Sequence, residues 1–253
     1  MKIFTYDDDF EALASCIYSA WEYSLEHKDE QISLKKHSSM QQSIFSEFIY
    51  VETDKGKAKK VIDSIKTKLS MQSYHTVYMA FLHCEDTGND IYKFLRLAFK
   101  HGKDINYMLG EEIVMKLMRL QRAVSNEMNS YIEIVRFNEV ADNVFISHIE
   151  PKHNILLGLS NHFQNRMPSI NWMIIDSARS LALVHQKERD CYLHKLNSEE
   201  LKKMSKVNDI KEPYKKLWKS FFNSIAIKER ENLKLQRQHC PLRRRKYMTE
   251  FME

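Results

Sequence analysis

The chain has 253 residues, 43% hydrophobic and 29% charged, with a formal net charge of +5, enough to bury a substantial core in one large domain or two small ones. No stretch approaches the roughly 20 uncharged apolar residues that a bilayer-spanning helix needs, and the opening MKIFTYDDDF has an acidic run where an export signal has its apolar centre. Cys16, Cys84, Cys191 and Cys240 are too widely spaced for a zinc knuckle, a redox pair or an iron–sulfur loop, and no Gly-rich phosphate loop is present. The expectation is a cytoplasmic protein with reduced thiols, no metal and no cofactor.

The first half, residues 1–130, reads as mainly helical. Asp8 or Asp9 can cap a helix carrying Phe10, Leu13, Ile17, Trp21 and Leu25 at helical spacing. A polar stretch from His27 to Gln42 reads as a surface loop, and SIFSEFIYVET alternates as a strand does. Thr53 or Asp54 then opens a helix with Ala58, Val61, Ile62, Ile65 and Leu69 on one side. Another apolar stripe runs through Tyr74, Val77, Tyr78, Phe81 and Leu82. Thr87 and Asp90 have the spacing of a capping box, and Gly110 precedes a long helix continuing to about Asn129.

The period changes near Tyr131. YIEIVRFNEV and NVFISHIE predict an antiparallel hairpin broken at Ala141-Asp142-Asn143, followed by a helix through Ile155, Leu156, Leu159 and Phe163. NWMIID, SLALVH and CYLHKL predict three more strands, so residues 131–195 form an antiparallel sheet with one helix, in an α+β fold treated as a single domain over 1–253. After a polar connector, residues 212–253 read as a C-terminal helix with a basic tail, its Tyr214, Leu217, Trp218, Phe221 and Ile225 facing inward.

The positive charge is concentrated in that tail. From Tyr214 onward there are eleven Lys or Arg against four Glu, while the first 213 residues carry a net charge of −2. Lys228, Arg230, Lys234 and Arg237 recur along one segment, and Arg243, Arg244, Arg245 and Lys246 follow the Pro241 break. Cations fixed along a surface suit phosphate contacts. A solvated charged face is the competing reading.

The ending YKKLWKSFFNSIAIKERENLKLQRQHCPLRRRKYMTE, the opening TYDDDFEALASCIYSAWE, the helix VETDKGKAKKVIDSIKTKLS and the central IEPKHNILLGLSNHFQNRMPSINWMIIDSARSLALVH together resemble a bacterial family of probable DNA metabolism proteins. Members of that family are typically encoded beside a radical SAM protein assigned to DNA modification or repair, and in some relatives the domain is fused to a uracil-DNA glycosylase-like domain. Where the family has Arg-Arg-Gly after the central Asp, this chain has Ala178-Arg179-Ser180. The resemblance implies DNA and a radical SAM protein as partners, and carries no catalytic residues with it.

Lacking three clustered cysteines, the chain cannot itself hold a radical SAM cluster. Within the central motif His153, His162, Asp176 and Arg179 are the candidates for chemistry: a carboxylate beside a His could activate water for base excision or hydrolysis. The structural alternative is an Asp176–Arg179 pair that fixes a hairpin. The leading expectation is a DNA-binding accessory protein, with a glycosylase-like or nuclease-like hydrolase and a protein-interaction adaptor as alternatives.

Overall fold

The computed structural model describes residues 1–27, 31–39, 46–207 and 213–251. The fold is mixed α+β and divides into two compact units, Met1–Ser125 and Asn126–Glu253. Among the described residues no helix is long and apolar enough to cross a membrane.

In the first unit, strand β1 (Lys2–Tyr6) leads into helix α1 (Phe10–Glu26), then strands β2 (Ile32–Lys36) and β3 (Glu47–Tyr50), and helices α2 (Lys55–Ser64), α3 (Met71–Phe81) and α4 (Gly88–His101). β1 is the middle strand, with β2 and β3 both parallel to it. Ile3, Phe4, Thr5 and Tyr6 are all buried, as expected of a central parallel strand covered on both faces. The first unit is mainly helical, as expected, and β3 falls within the predicted strand SIFSEFIYVET, but the sequence did not announce β1 and β2. β2 lies within the stretch read as a loop, because its pairing links residues about thirty positions apart and leaves no local period; residues 28–30 and 40–45 of that stretch lie outside the described residues.

The caps follow the sequence. The Asp9 carboxylate accepts from the backbone N–H groups of Glu11 and Ala12, and Asp54 from those of Gly56 and Lys57, so each satisfies two N–H groups left open at a helix start. Those donors hold the Asp54 carboxyl below its ordinary value. Thr87 precedes α4 as read, but its hydroxyl turns back to donate to the Ala80 carbonyl at 2.9 Å instead of capping. Beyond α2, residues Ile65–Leu69 wind as a π turn, closed by Ser70 N donating to the Ile65 carbonyl five residues back at 3.1 Å.

Helix α5 (Glu112–Ile134) contains the boundary between the units. It extends through Tyr131, so YIEI is the end of a helix and not the start of a strand. The second unit continues with β4 (Asn138–Ala141), β5 (Val144–Ile149), α6 (Ser160–Arg166), β6 (Asn171–Asp176), β7 (Leu181–His185), β8 (Tyr192–Lys195), α7 (Ser198–Val207), α8 (Pro213–Ile225), α9 (Leu233–His239) and α10 (Leu242–Arg245). The sheet order is β4-β5-β6-β7-β8. The β4–β5 hairpin forms where the sequence placed it, with Asn143 at φ 57°, a left-handed position that Asn tolerates.

The expected antiparallel sheet is in fact mixed: β5 and β6 run parallel, because the segment between them crosses over through a 3-10 turn, Leu156–Leu159, and α6. One face carries Ile146, Ile175 and Ala182 against Leu196 and, from α7, Leu201 and Met204. On the other face Trp172 meets Phe137 and Phe163 edge-on and stacks on His185 at 5.0 Å.

A candidate nucleic-acid interface in the C-terminal segment

α8 is amphipathic, but its apolar side does not face inward as the sequence suggested. Leu217, Trp218, Phe221 and Ile225 are exposed, Leu217 at 64% and Phe221 at 53%. Tyr214 belongs to the part of the helix whose side chains lie outside the described residues. Trp218 is held from one edge, where its indole N–H donates to Glu250 at 3.2 Å, and the Arg136 guanidinium lies 5.9 Å from its ring centre and pairs with the same Glu250 at 2.8 Å. Phe222, one turn further along the same side, packs against Phe251.

The basic residues separate into two groups. Arg230 follows α8 in a short 3-10 turn, Lys228–Arg230, in which the Lys228 side chain lies outside the described residues. Asn232 caps α9 by accepting from the Leu235 N–H, and α9 carries Lys234 and Arg237. Arg230, Lys234 and Arg237 are exposed, and their side chains make no ion pair among the described residues.

Residues 241–251 are instead pinned to the sheet unit. Met248 and Thr249 are buried. The Arg243 guanidinium donates to Glu127 at 2.9 Å, and Lys246 and Tyr247 both donate to Glu150, at 2.5 and 2.7 Å. Arg245 donates to the Cys240 carbonyl at 3.0 Å and lies over Phe251, while Arg244 approaches the Tyr131 ring at 6.0 Å. Burial alone would raise the Glu150 carboxyl, but its Lys246 and Tyr247 partners outweigh that and hold it below the ordinary carboxylate value. The same contacts raise Lys246.

Glu127 organises the central motif. This carboxylate is buried on α5 and accepts from the backbone N–H groups of Lys152 and His153 as well as from Arg243. Arg179 grips the same loop from its carbonyl side, donating to Pro151 and Lys152 at 3.1 and 2.6 Å. Asp176 ends β6 and pairs with Arg179 across the β6–β7 turn at 2.8 Å; its other oxygen accepts from the N–H groups of Ala178 and Arg179. Burial raises the Asp176 carboxyl despite these partners, and burial with the nearby Glu127 charge pushes the Tyr131 hydroxyl up to about 12.

Of the four candidates for chemistry, the structure therefore joins Asp176 to Arg179, and ties the backbone of His153 to Glu127. Among the described residues neither His153 nor His162 bonds to Asp176. His162 sits on α6 with its ring edge-on to Phe163 and its buried Nε2 without a hydrogen-bond partner among the described residues. Both Asp176 oxygens accept hydrogen bonds from the β6–β7 turn, as in the hairpin-fixing alternative.

Two features escaped sequence reading. Glu127 falls on the buried stripe of α5 with Val114, Leu117, Val124 and Tyr131, and a carboxylate on an apolar stripe is the signal that could have found it. The exposed Trp218 and Phe221 had no such signal, since an apolar stripe on a helix ordinarily marks core.

The model of a family described as a domain of unknown function, DUF4130, matches residues 85–250, well over half of the chain. The matched span takes in α4, α5 and nearly all of the second unit, and leaves out the parallel sheet. A search of the curated proteins finds no match.

Proposed function

The chain belongs to the DUF4130 family, and from that starting point we propose that it is a DNA-binding accessory protein of DNA repair or modification, working beside a radical SAM enzyme. The observation that carries the DNA part is the exposed set Arg230, Lys234 and Arg237, cations with no carboxylate partner among the described residues, on the segment that also exposes Trp218 and Phe221. Guanidinium and ammonium groups that are not already paired are the ones available to displace counterions from a phosphate backbone. Exposed aromatic rings offer stacking surfaces to unpaired bases. Arg243 and Lys246, by contrast, spend much of their charge on Glu127 and Glu150 and serve to hold the segment in place. The radical SAM partner rests on the family resemblance alone.

The test is fluorescence anisotropy with single- and double-stranded oligonucleotides across a salt series, comparing the intact chain with R230Q/K234Q/R237Q. Each phosphate contact removed should reduce the slope of log K against log salt by roughly 0.7 to 0.9. A folded protein that binds neither oligonucleotide at low salt would refute the reading.

The adaptor alternative is favoured by one observation, the exposed apolar row Leu217, Trp218, Phe221 and Ile225 on α8. Association with a partner protein that is lost on Phe221→Asp, with no measurable DNA binding, would favour it over the first reading.

A further inference from the structure

Helices α1, α2 and α4 of the first unit leave between them an open cleft of about 370 Å3, within the range of roughly 300–1,000 Å3 typical of small-molecule sites. Its walls are apolar and aromatic, with Ile17, Tyr18 and Trp21 from α1, Val61 from α2 and Phe99 from α4. Trp21 and Phe99 meet edge to face at 5.5 Å. The Arg96 guanidinium lies 5.0 Å from the Trp21 ring centre.

The polar groups of the cleft are few and unevenly placed. Lys60, Ser64 and Lys68 come from one wall, four residues apart, and Glu22 comes from α1. In a regular α-helix, residues eight apart have drifted about 80° around the axis. Here the π turn Ile65–Leu69 intervenes, and its wider winding takes back part of that drift, so that Lys60 and Lys68 both reach the same cleft. π turns are uncommon and collect at functional sites. Lys60 and Lys57 also lie over the Tyr18 ring, at 5.7 and 5.4 Å, and Lys68 is exposed with no ion pair among the described residues.

We propose that this cleft binds a small amphiphilic anion, with a flat apolar body lying against Tyr18, Trp21 and Phe99 and a carboxylate, sulfonate or phosphate group held by Lys60 and Lys68. Glu22 repels the anionic group from the α1 wall and so orients it toward α2. The site is independent of the DNA reading, since none of its residues belongs to the C-terminal segment.

The experiment uses the full chain and two probes with the same rings, anilinonaphthalene sulfonate and the uncharged phenylnaphthylamine, titrated by fluorescence. The sulfonate should bind one per chain and more tightly than the amine, by roughly tenfold for a charge-assisted contact. Lys60→Gln with Lys68→Gln should abolish that preference while leaving the amine unaffected, and Val61→Phe should weaken both probes by filling the cleft. Circular dichroism confirms that each variant is folded, and shifts of the Trp21 indole and Ser64 amide resonances on adding the sulfonate locate it without any substitution. Equal affinity for the two probes, or a preference that survives the double lysine substitution, would overturn the proposal. So would binding that leaves the Trp21 and Ser64 resonances unmoved, which would place the dye elsewhere, for example on the exposed face of α8.

Discussion

Replacing Arg243 by Ala separates an anchoring cation from a phosphate-binding one. Glu127 is 3% exposed and Arg243 is 49% exposed, at 2.9 Å. Removing one partner of a fully buried ion pair costs about 3–5 kcal/mol. Here Glu127 keeps two backbone N–H donors, and half of the guanidinium is already in water, so R243A should cost about 1–2 kcal/mol after discounting for solvent. Glu127→Ala removes the carboxylate on which three donors converge and leaves the loop at Lys152 and His153 with two open N–H groups, so it should cost about 3–5 kcal/mol. The double variant should lose about 1 kcal/mol less than the sum of the single losses, because the Arg243–Glu127 interaction is counted in both. Urea denaturation followed by tryptophan fluorescence, in which the buried Trp172 reports on the second unit, measures these losses. The same variants go through the DNA salt series, where R243A should leave the slope nearly unchanged. The reasoning fails if R243A is as stable as the parent within about 0.5 kcal/mol and yet lowers the salt slope by about 0.9; Arg243 would then be a phosphate contact and its ion pair incidental.

Gly88→Ala should destabilise the first unit by about 1–3 kcal/mol, since an added Cβ runs into the ring and hydroxyl of Tyr6, which is fully buried and donates to Asp86 at 3.0 Å; an unchanged melting temperature would show that Tyr6 has room to move. Glu150 and Glu250 are held below their ordinary values, in each case because cationic and hydrogen-bonding partners outweigh burial. The unfolded chain therefore takes up these protons first: the stabilisation is complete above the unfolded value near 4.3 and is lost as pH falls through the depressed folded values. Asp176, raised by burial, acts in the opposite sense, giving stability that declines as pH rises from about 3.9 through its folded value. Urea midpoints measured from neutral pH downward should show a loss in acid that is smaller in Glu150→Gln, and an acid limb identical in the two proteins would contradict the assignment.

Some elements were legible because their signals are local. Asp9 and Asp54 start α1 and α2 within three residues of the N–H groups they satisfy, and the break at Asp142-Asn143 turns the β4–β5 hairpin where the chain supplies a residue tolerant of positive φ. The pairing of Asp176 with Arg179 spans three positions and belongs to the same class. The basic character of the C-terminal segment needed only counting.

The sequence alone thus determined the mixed α+β character, several helix starts, the hairpin and the place of the positive charge, since each depends on residues a few positions apart. Tertiary structure decided the rest. Only folding pairs β1 with β2 and β3, sets β5 parallel to β6, and leaves the apolar side of α8 in solvent. It also sorts the cations, bringing Arg243 to Glu127 across 116 positions while leaving Lys234 and Arg237 exposed. A charge in a sequence has a sign but no neighbour, and whether it meets a carboxylate or water is settled by contacts between segments whose separation along the chain carries no periodic trace.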